Sequence, residues 1–153
     1  MNAFAPRRVT ILAGQSTEAQ KARAALVARY GSAAEEEADM VVALGGDGFM
    51  LQTLHGMLGR KRIVPVFGMN LGTVGFLMND WREDSLEDRI AQTKSFQVSP
   101  LRMEAETIDG EIVTSPAINE VSLLRETRQT AKLEVDVNGR VVMEELKCDG
   151  VLV

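Results

Sequence analysis

The sequence predicts an α/β domain built on a parallel sheet, followed by a mainly antiparallel β region. Three observations carry this prediction. As far as residue 96, short apolar runs alternate with helix-type patterns, the order that produces a parallel sheet covered by helices. Two of those apolar runs lead directly into glycine-rich segments. After Phe96 the pattern switches to polar–apolar alternation around Asn138-Gly139 and Asp109-Gly110, the strongest short-range signals for hairpins. The boundary falls between Ser95 and Leu101, which gives an α/β domain over residues 1–97 and the first part of an all-β domain over residues 98–153.

Each element has a local reason. Val9-Thr10-Ile11-Leu12-Ala13 is a β-branched run closed by Gly14 and reads as a buried strand. Thr17 with Gln20 three residues later has the form of a capping box, so a helix should follow to about Tyr30. Its apolar face would hold Ala19, Ala22, Leu26 and Tyr30, and Gly31 would stop it. Met40-Val41-Val42-Ala43-Leu44 is apolar at every position, as expected of a strand covered on both faces. It runs into Gly45-Gly46-Asp47-Gly48, after which a helix is predicted from Phe49 to Leu58. A third strand, Ile63 to Phe67, ends in the second glycine-rich segment, Gly68 to Leu77, and a charged helix with Leu86 and Ile90 on one face should occupy Trp81 to Thr93. The β region holds few strands for a closed sheet, and Cys148-Asp149-Gly150-Val151-Leu152-Val153 stops within a strand pattern, so this part reads as truncated.

Composition narrows the function classes. Hydrophobic residues at 45% and charged residues at 25% are the balance of a soluble globular chain. A net charge of −5 argues against a nucleic-acid partner, which needs a concentrated basic field, but an anionic small ligand can still bind through backbone amides and a metal. The single cysteine, Cys148, has no internal disulfide partner, and with one histidine it cannot build a Cys/His zinc site. The start, Met1 to Arg8, lacks the apolar run of a signal peptide, and no later run is long enough to span a bilayer. No membrane partner is expected, and a cytoplasmic compartment is the default.

The first glycine segment lies between a buried strand and a helix, where open α/β sheets bind phosphates. Gly45, Gly46 and Gly48 let the main chain approach a ligand closely. Asp47 among them puts a carboxylate at the centre, able to take a proton from a hydroxyl or to hold a phosphate-bound metal. Read without that ligand, the same four residues form a strand-to-helix turn with Asp47 as an N-cap. The second glycine segment leaves the next strand, and consecutive strands in such sheets are adjacent about two-thirds of the time, so both loops should converge on one crevice. There Asn70 can hydrogen-bond a ligand and Phe76 can stack on one, or Phe76 can pack in the core.

Taken together, Gly45-Gly46-Asp47-Gly48, the segment Gly68-Met69-Asn70-Leu71-Gly72-Thr73-Val74-Gly75-Phe76-Leu77, Asn119-Glu120-Val121 and Asp149-Gly150-Val151 resemble the successive motifs of the NAD kinase family, in order and with suitable spacing. The first motif alone is shared with diacylglycerol kinases, sphingosine kinases and 6-phosphofructokinases; the set is not. The resemblance implies a Rossmann-like α/β domain followed by an all-β domain, with the active site in the cleft between them. It implies that Asp47 activates the 2′-hydroxyl of the adenosine ribose of NAD for attack on the γ-phosphate of ATP, giving NADP. It further implies that Asn119, Glu120 and Asp149 contact the dinucleotide, that Phe76 lies near the substrate, that a divalent cation, usually Mg²⁺, takes part, and that the protein forms a homodimer or homotetramer. Two departures stand out. Phe49 occupies a position often held by Thr, and a Thr-Pro-Thr-Gly-Ser-Thr-Ala-Tyr-like segment that supplies much of the nucleotide pocket is expected after Val153. The 153-residue chain alone is therefore expected to be inactive.

Lys147, beside Asp149, is a candidate basic group for phosphate, although a lysine near a strand end is usually solvated. Gly72 joins the ligand-binding candidates as part of the second loop. No protein residues are assigned as metal ligands. His55, Trp81 and Cys148 read as packing or surface residues, Glu35-Glu36-Glu37 as a solvated loop, and Arg125 and Arg128 as exposed. Two other functions stay open at this point: a kinase of the same glycine–Asp type acting on a lipid or sugar phosphate, and a nucleotide-binding module without catalysis.

Overall fold

The computed structural model describes Pro6, residues 8–72 and residues 75–153. The expectation about the leader therefore falls largely outside the described residues, as do Thr73 and Val74 of the second glycine segment. Two compact units are present, Met1–Val98 and Ser99–Val153.

In the first unit β1 (Val9–Ala13), β2 (Met40–Gly45), β3 (Val66–Asn70) and β4 (Asn79–Asp80) form a parallel sheet in the order β1-β2-β3-β4. The helices are α1 (Thr17–Tyr30), α2 (Asp47–Leu58) and α3 (Leu86–Gln92). β2 lies between β1 and β3, and its residues Val41 to Leu44 are fully buried, which explains a strand with no polar position. Successive side chains of a strand point to opposite faces. Accordingly Met40, Val42 and Leu44 pack with Ala22 and Leu26 of α1 and with Leu86 and Ile90 of α3, whereas Val41 packs with Met57 of α2 and Val64. The helices thus cover both faces.

Four element boundaries differ from the sequence expectation, each for an identifiable reason. The cap of α1 is Ser16, one residue before Thr17: its Oγ accepts from the Ala19 amide at 3.1 Å. Gly31, at φ 74°, closes that helix with its N–H donating to Val27 O at 2.9 Å. α2 begins at Asp47 rather than Phe49, because the Gly46 carbonyl already accepts from the amides of Phe49 and Met50. β3 begins at Val66, three residues later than expected. Pro65 has no N–H to give, and only its carbonyl joins the sheet, accepting from Val41. The strand then continues through Gly68, where a Cβ would lie 2.5 Å from Met78 Sδ. That glycine serves close packing within the sheet, not a loop.

α3 starts at Leu86, five residues later than expected. The Arg89 side chain donates to the carbonyls of Asp80 at 2.6 Å and Arg82 at 3.4 Å, which holds the preceding segment out of the helix. Trp81 packs against the core, as read from the sequence. The two-residue strand β4 was not foreseen; it is fastened by the Asn79 side-chain Nδ2 donating to Gly68 O at 3.0 Å.

The second unit consists of three antiparallel ribbons: β5 (Leu101–Glu106) with β6 (Ile112–Ala117), β8 (Ala131–Val137) with β9 (Arg140–Cys148), and β7 (Ser122–Leu124) with β10 (Gly150–Leu152). Both hairpins foreseen at Asp-Gly and Asn-Gly are present. Asn138 at φ 56° and Gly139 at φ 78° have the two left-handed residues that a two-residue type I′ turn requires. No residue from Ser99 to Val153 is buried.

Candidate functional site

The site begins where β2 ends. Gly45 and Asn70 are partners across β2 and β3, and the Leu71 amide donates to Gly45 O at 2.8 Å, so both glycine segments start side by side. Three glycines of the first segment differ in their surroundings. A Cβ at Gly45 would come within 2.8 Å of Phe49 Cβ, so this glycine exists for close packing. At Gly46 and Gly48 a Cβ would meet nothing within 4 Å. Their missing side chains leave the surface around the α2 N-terminus open, the geometry that lets an anionic group approach helix amides.

Asp47 is the first residue of α2 and its carboxylate turns toward the second loop. Oδ2 accepts from the Phe76 amide at 2.9 Å and Oδ1 from the Leu77 amide at 3.1 Å. The N-cap itself is Gly46, which has no side chain to offer, so the reading of Asp47 as a simple N-cap gives way. A carboxylate has about four lone-pair positions, and two are used here, which leaves acceptor capacity for a hydroxyl proton.

Asn70 uses its side chain locally. Its Oδ1 accepts from the Gly72 amide at 3.0 Å and its Nδ2 donates to Gly72 O at 3.3 Å. Phe76 is 91% exposed, which removes the core-packing reading of that ring. The contact of Asp47 with residues 29 and 30 positions further on had no signal in the sequence.

The remaining candidates belong to the second unit. Asn119 adopts φ 77°, a left-handed conformation that Asn tolerates, in the turn before β7. Glu120 follows it and is exposed. At the other end of the β7–β10 ribbon, Arg125 Nε donates to Asp149 Oδ1 at 2.5 Å and the Arg125 amide donates to Asp149 O at 2.9 Å. Asn119-Glu120 and Asp149 therefore stand at opposite ends of this three-residue-pair ribbon. Arg125 is held by a carboxylate and is not a free cation. Gly150 is needed where it stands, since a Cβ would lie 2.5 Å from Leu123 O. Lys147, on β9, pairs with Glu145 at 3.0 Å on the surface. Among the described residues no three His, Cys, Asp or Glu side chains come together to hold a metal, and no helix is long and apolar enough to cross a membrane.

Fold and site together define an open parallel α/β protein whose functional loops lie at the carboxyl ends of adjacent strands, where such sheets bind their ligands. Comparison with known proteins makes the class specific. Residues 5–93 match the family model of the ATP-NAD kinase N-terminal domain. The chain is 63% identical over 147 residues to the NAD kinase of Rhizorhabdus wittichii, covering 96% of this chain and 57% of that protein. It is 57% identical over 146 residues to the NAD kinase of Zymomonas mobilis, covering 95% of this chain and 57% of the relative. A crystal structure of an NAD kinase from Archaeoglobus fulgidus in complex with ATP has the same fold, with a TM-score of 0.61 at 24% identity over 95% of this chain and 59% of that one. The chain belongs to the NAD kinase family. It spans 57% of the length of these two curated relatives.

Proposed function

We propose that the protein carrying this chain is an NAD kinase, which transfers the γ-phosphate of ATP to the 2′-hydroxyl of the adenosine ribose of NAD. The observation that carries this reading is the Asp47 carboxylate, set between two glycine loops and spanning to the second of them with acceptor sites to spare. A ribose hydroxyl is a poor nucleophile until a base takes its proton, and a positioned base contributes roughly 10²–10⁴-fold. Asp47 supplies that base. Most of the remaining acceleration in phosphoryl transfer comes from positioning and charge stabilisation. The open surface at Gly46 and Gly48 contributes here by letting helix N-terminal amides donate hydrogen bonds to phosphate oxygens.

Phe76 offers an exposed ring to a flat ligand group, and Gly45, Gly72 and Asn70 shape the loops that border it. Asn119, Glu120, Lys147 and Asp149 belong to the same reading as contacts of the dinucleotide, with Lys147 released from Glu145 to meet phosphate. A divalent cation, Mg²⁺, belongs to the same reading without an assigned protein ligand, because Mg²⁺ keeps several waters and binds largely through substrate phosphates. It would neutralise phosphate charge. A cytoplasmic location fits the free thiol of Cys148. Homo-oligomeric assembly completes the proposal and is checked by sedimentation.

The test is an assay of the purified native protein with NAD, ATP and Mg²⁺ for NADP, beside Asp47→Ala. NADP formation that falls at least a hundredfold in the variant is expected. An unchanged rate removes Asp47 from its role, and phosphorylation of diacylglycerol or fructose 6-phosphate in place of NAD would replace the substrate.

A further inference from the structure

We infer that Asp47 has a second task besides proton transfer: its carboxylate clamps the Phe76 turn, and with Asn70 it braces the second loop so that the Phe76 ring is presented in a fixed place. This inference rests in part on the reading of Phe76 as a surface for the dinucleotide. The physical argument starts from exposure. Phe76 is 91% exposed and Leu77 39%, so burial cannot be what fixes this turn. Its anchors are polar and close-range.

Both oxygens of Asp47 are committed to consecutive peptide N–H groups, those of Phe76 and Leu77. A carboxylate receiving two amides in this way fixes the peptide planes on either side of the Phe76 Cα, and hence the direction in which its ring leaves the chain. Charge-assisted bonds of this kind are roughly twice as strong as neutral ones. On the strand side, the Asn70 side-chain amide holds Gly72 at both polar atoms, Oδ1 accepting from the Gly72 N–H and Nδ2 donating to Gly72 O. Gly75 presses onto the same support, since a Cβ there would lie 3.2 Å from Asn70 Cγ and 3.0 Å from Met78 Cβ. Met78 in turn reaches the space left by Gly68. The turn is therefore pinned at Asp47, at Asn70 and at Met78, while its aromatic ring faces solvent. In this arrangement Asn70 is a positioning residue, acting through Gly72 and Gly75.

A carboxylate whose only task was to take the ribose proton would leave the Phe76 and Leu77 amides of the ligand-free protein unaltered when replaced by its isosteric amide. A clamp would not, because an Asn side chain turns an NH₂ group toward one of the two amides. Two measurements on the full chain separate these cases. The first is amide hydrogen exchange of the wild type, Asp47→Asn and Asp47→Ala without ligand. Exchange at Phe76 and Leu77 should accelerate about tenfold or more, the scale of a lost charge-assisted hydrogen bond, while the Met50 amide inside α2 keeps its protection. Unchanged protection at Phe76 and Leu77 overturns the clamp. Equal loss along α2 overturns it too, since the carboxylate would then support the helix and not the turn.

The second measurement is calorimetric binding of NAD without ATP, where no phosphate can move. Asp47→Asn should weaken it about tenfold, and Asn70→Ala should do likewise, with Asn70→Asp recovering part of the loss because it keeps the acceptor for the Gly72 amide. Wild-type affinity in Asp47→Asn overturns the presenting role. Failure of the wild type to bind NAD at all would instead count against the proposed substrate, and the exchange result would stand apart from it.

Discussion

At Gly48 two physical demands oppose each other. The residue lies in the first turn of α2, where glycine costs helix stability relative to alanine, up to about 1 kcal/mol. Nothing in the fold requires it, since an added Cβ would meet no atom within 4 Å. Gly48→Ala should therefore unfold at a slightly higher temperature while losing activity, by about tenfold or more in kcat/KM. Gly46→Ala should behave similarly in activity with little change in melting temperature, because φ at this position is −113° and accommodates any residue. Gly45→Ala should differ from both: its Cβ collides with Phe49, so stability itself should fall. A thermal melt beside a steady-state assay checks all three, and activity retained by Gly46→Ala and Gly48→Ala would show that no ligand comes close there. The presence of these glycines was legible in the sequence, but their division of labour was not, because the spacing of four residues does not say which hydrogen atoms face Phe49 and which face the open surface.

Among the elements, β2 decides the architecture, and it was the easiest to read. A run apolar at every position specifies burial on two faces without reference to anything else in the chain. Leu44 lies fully buried among β1, α1, β3 and α3 side chains, so Leu44→Ala should cost about 2–5 kcal/mol and lower the melting temperature by at least about 8 °C. The boundaries of β3 and α3 were less legible for a reason common to both. Each is set by a long-range partner: β3 runs on because Met78 fills the space beside Gly68, and α3 starts late because Arg89 ties up two upstream carbonyls. The entry to the sheet holds a second such device. The Arg62 guanidinium hydrogen-bonds Asp39 at 3.1 Å and, against an opposing effect of burial and with help from the charge and backbone amide of Arg8, keeps the Asp39 carboxyl below its ordinary value of 3.8. A carboxyl with a lowered folded pKa adds stability that is fully present above 3.8 and is lost as the pH falls through the folded value. Arg62→Ala should thus melt below the wild type at neutral pH, with the difference closing below pH 3.8. A constant difference across that range would mean the arginine acts by packing.

For the molecule as a whole, the two units rest on unequal support. Among the described residues every buried one belongs to Met1–Val98, where two clusters fill the space on either side of the sheet. In Ser99–Val153 each ribbon has two strands, and side chains such as Leu124 at 80% and Leu152 at 65% exposure face water. The sequence showed this asymmetry, since the hairpins were clear and the strands to back them were few. What it could not show was the pairing of β7 with β10, which joins segments 26 or more residues apart through only three residue pairs. A two-stranded ribbon without a covered face is marginally stable in water. Local opening in such a segment requires little free energy, whereas opening β2 requires the global unfolding of the first unit. Hydrogen exchange of the 153-residue chain should therefore be strongly biphasic. Amides of β5 to β10 should exchange within seconds to minutes at neutral pH, and those of Val41 to Leu44 should exchange slower by about 10³-fold or more, as expected for a core of ordinary stability. Leu44→Ala should accelerate the slow class alone, because the fast class never depends on that core. Protection in β8 and β9 that matched β2, and fell with it in the Leu44→Ala variant, would mean that the two units unfold as one.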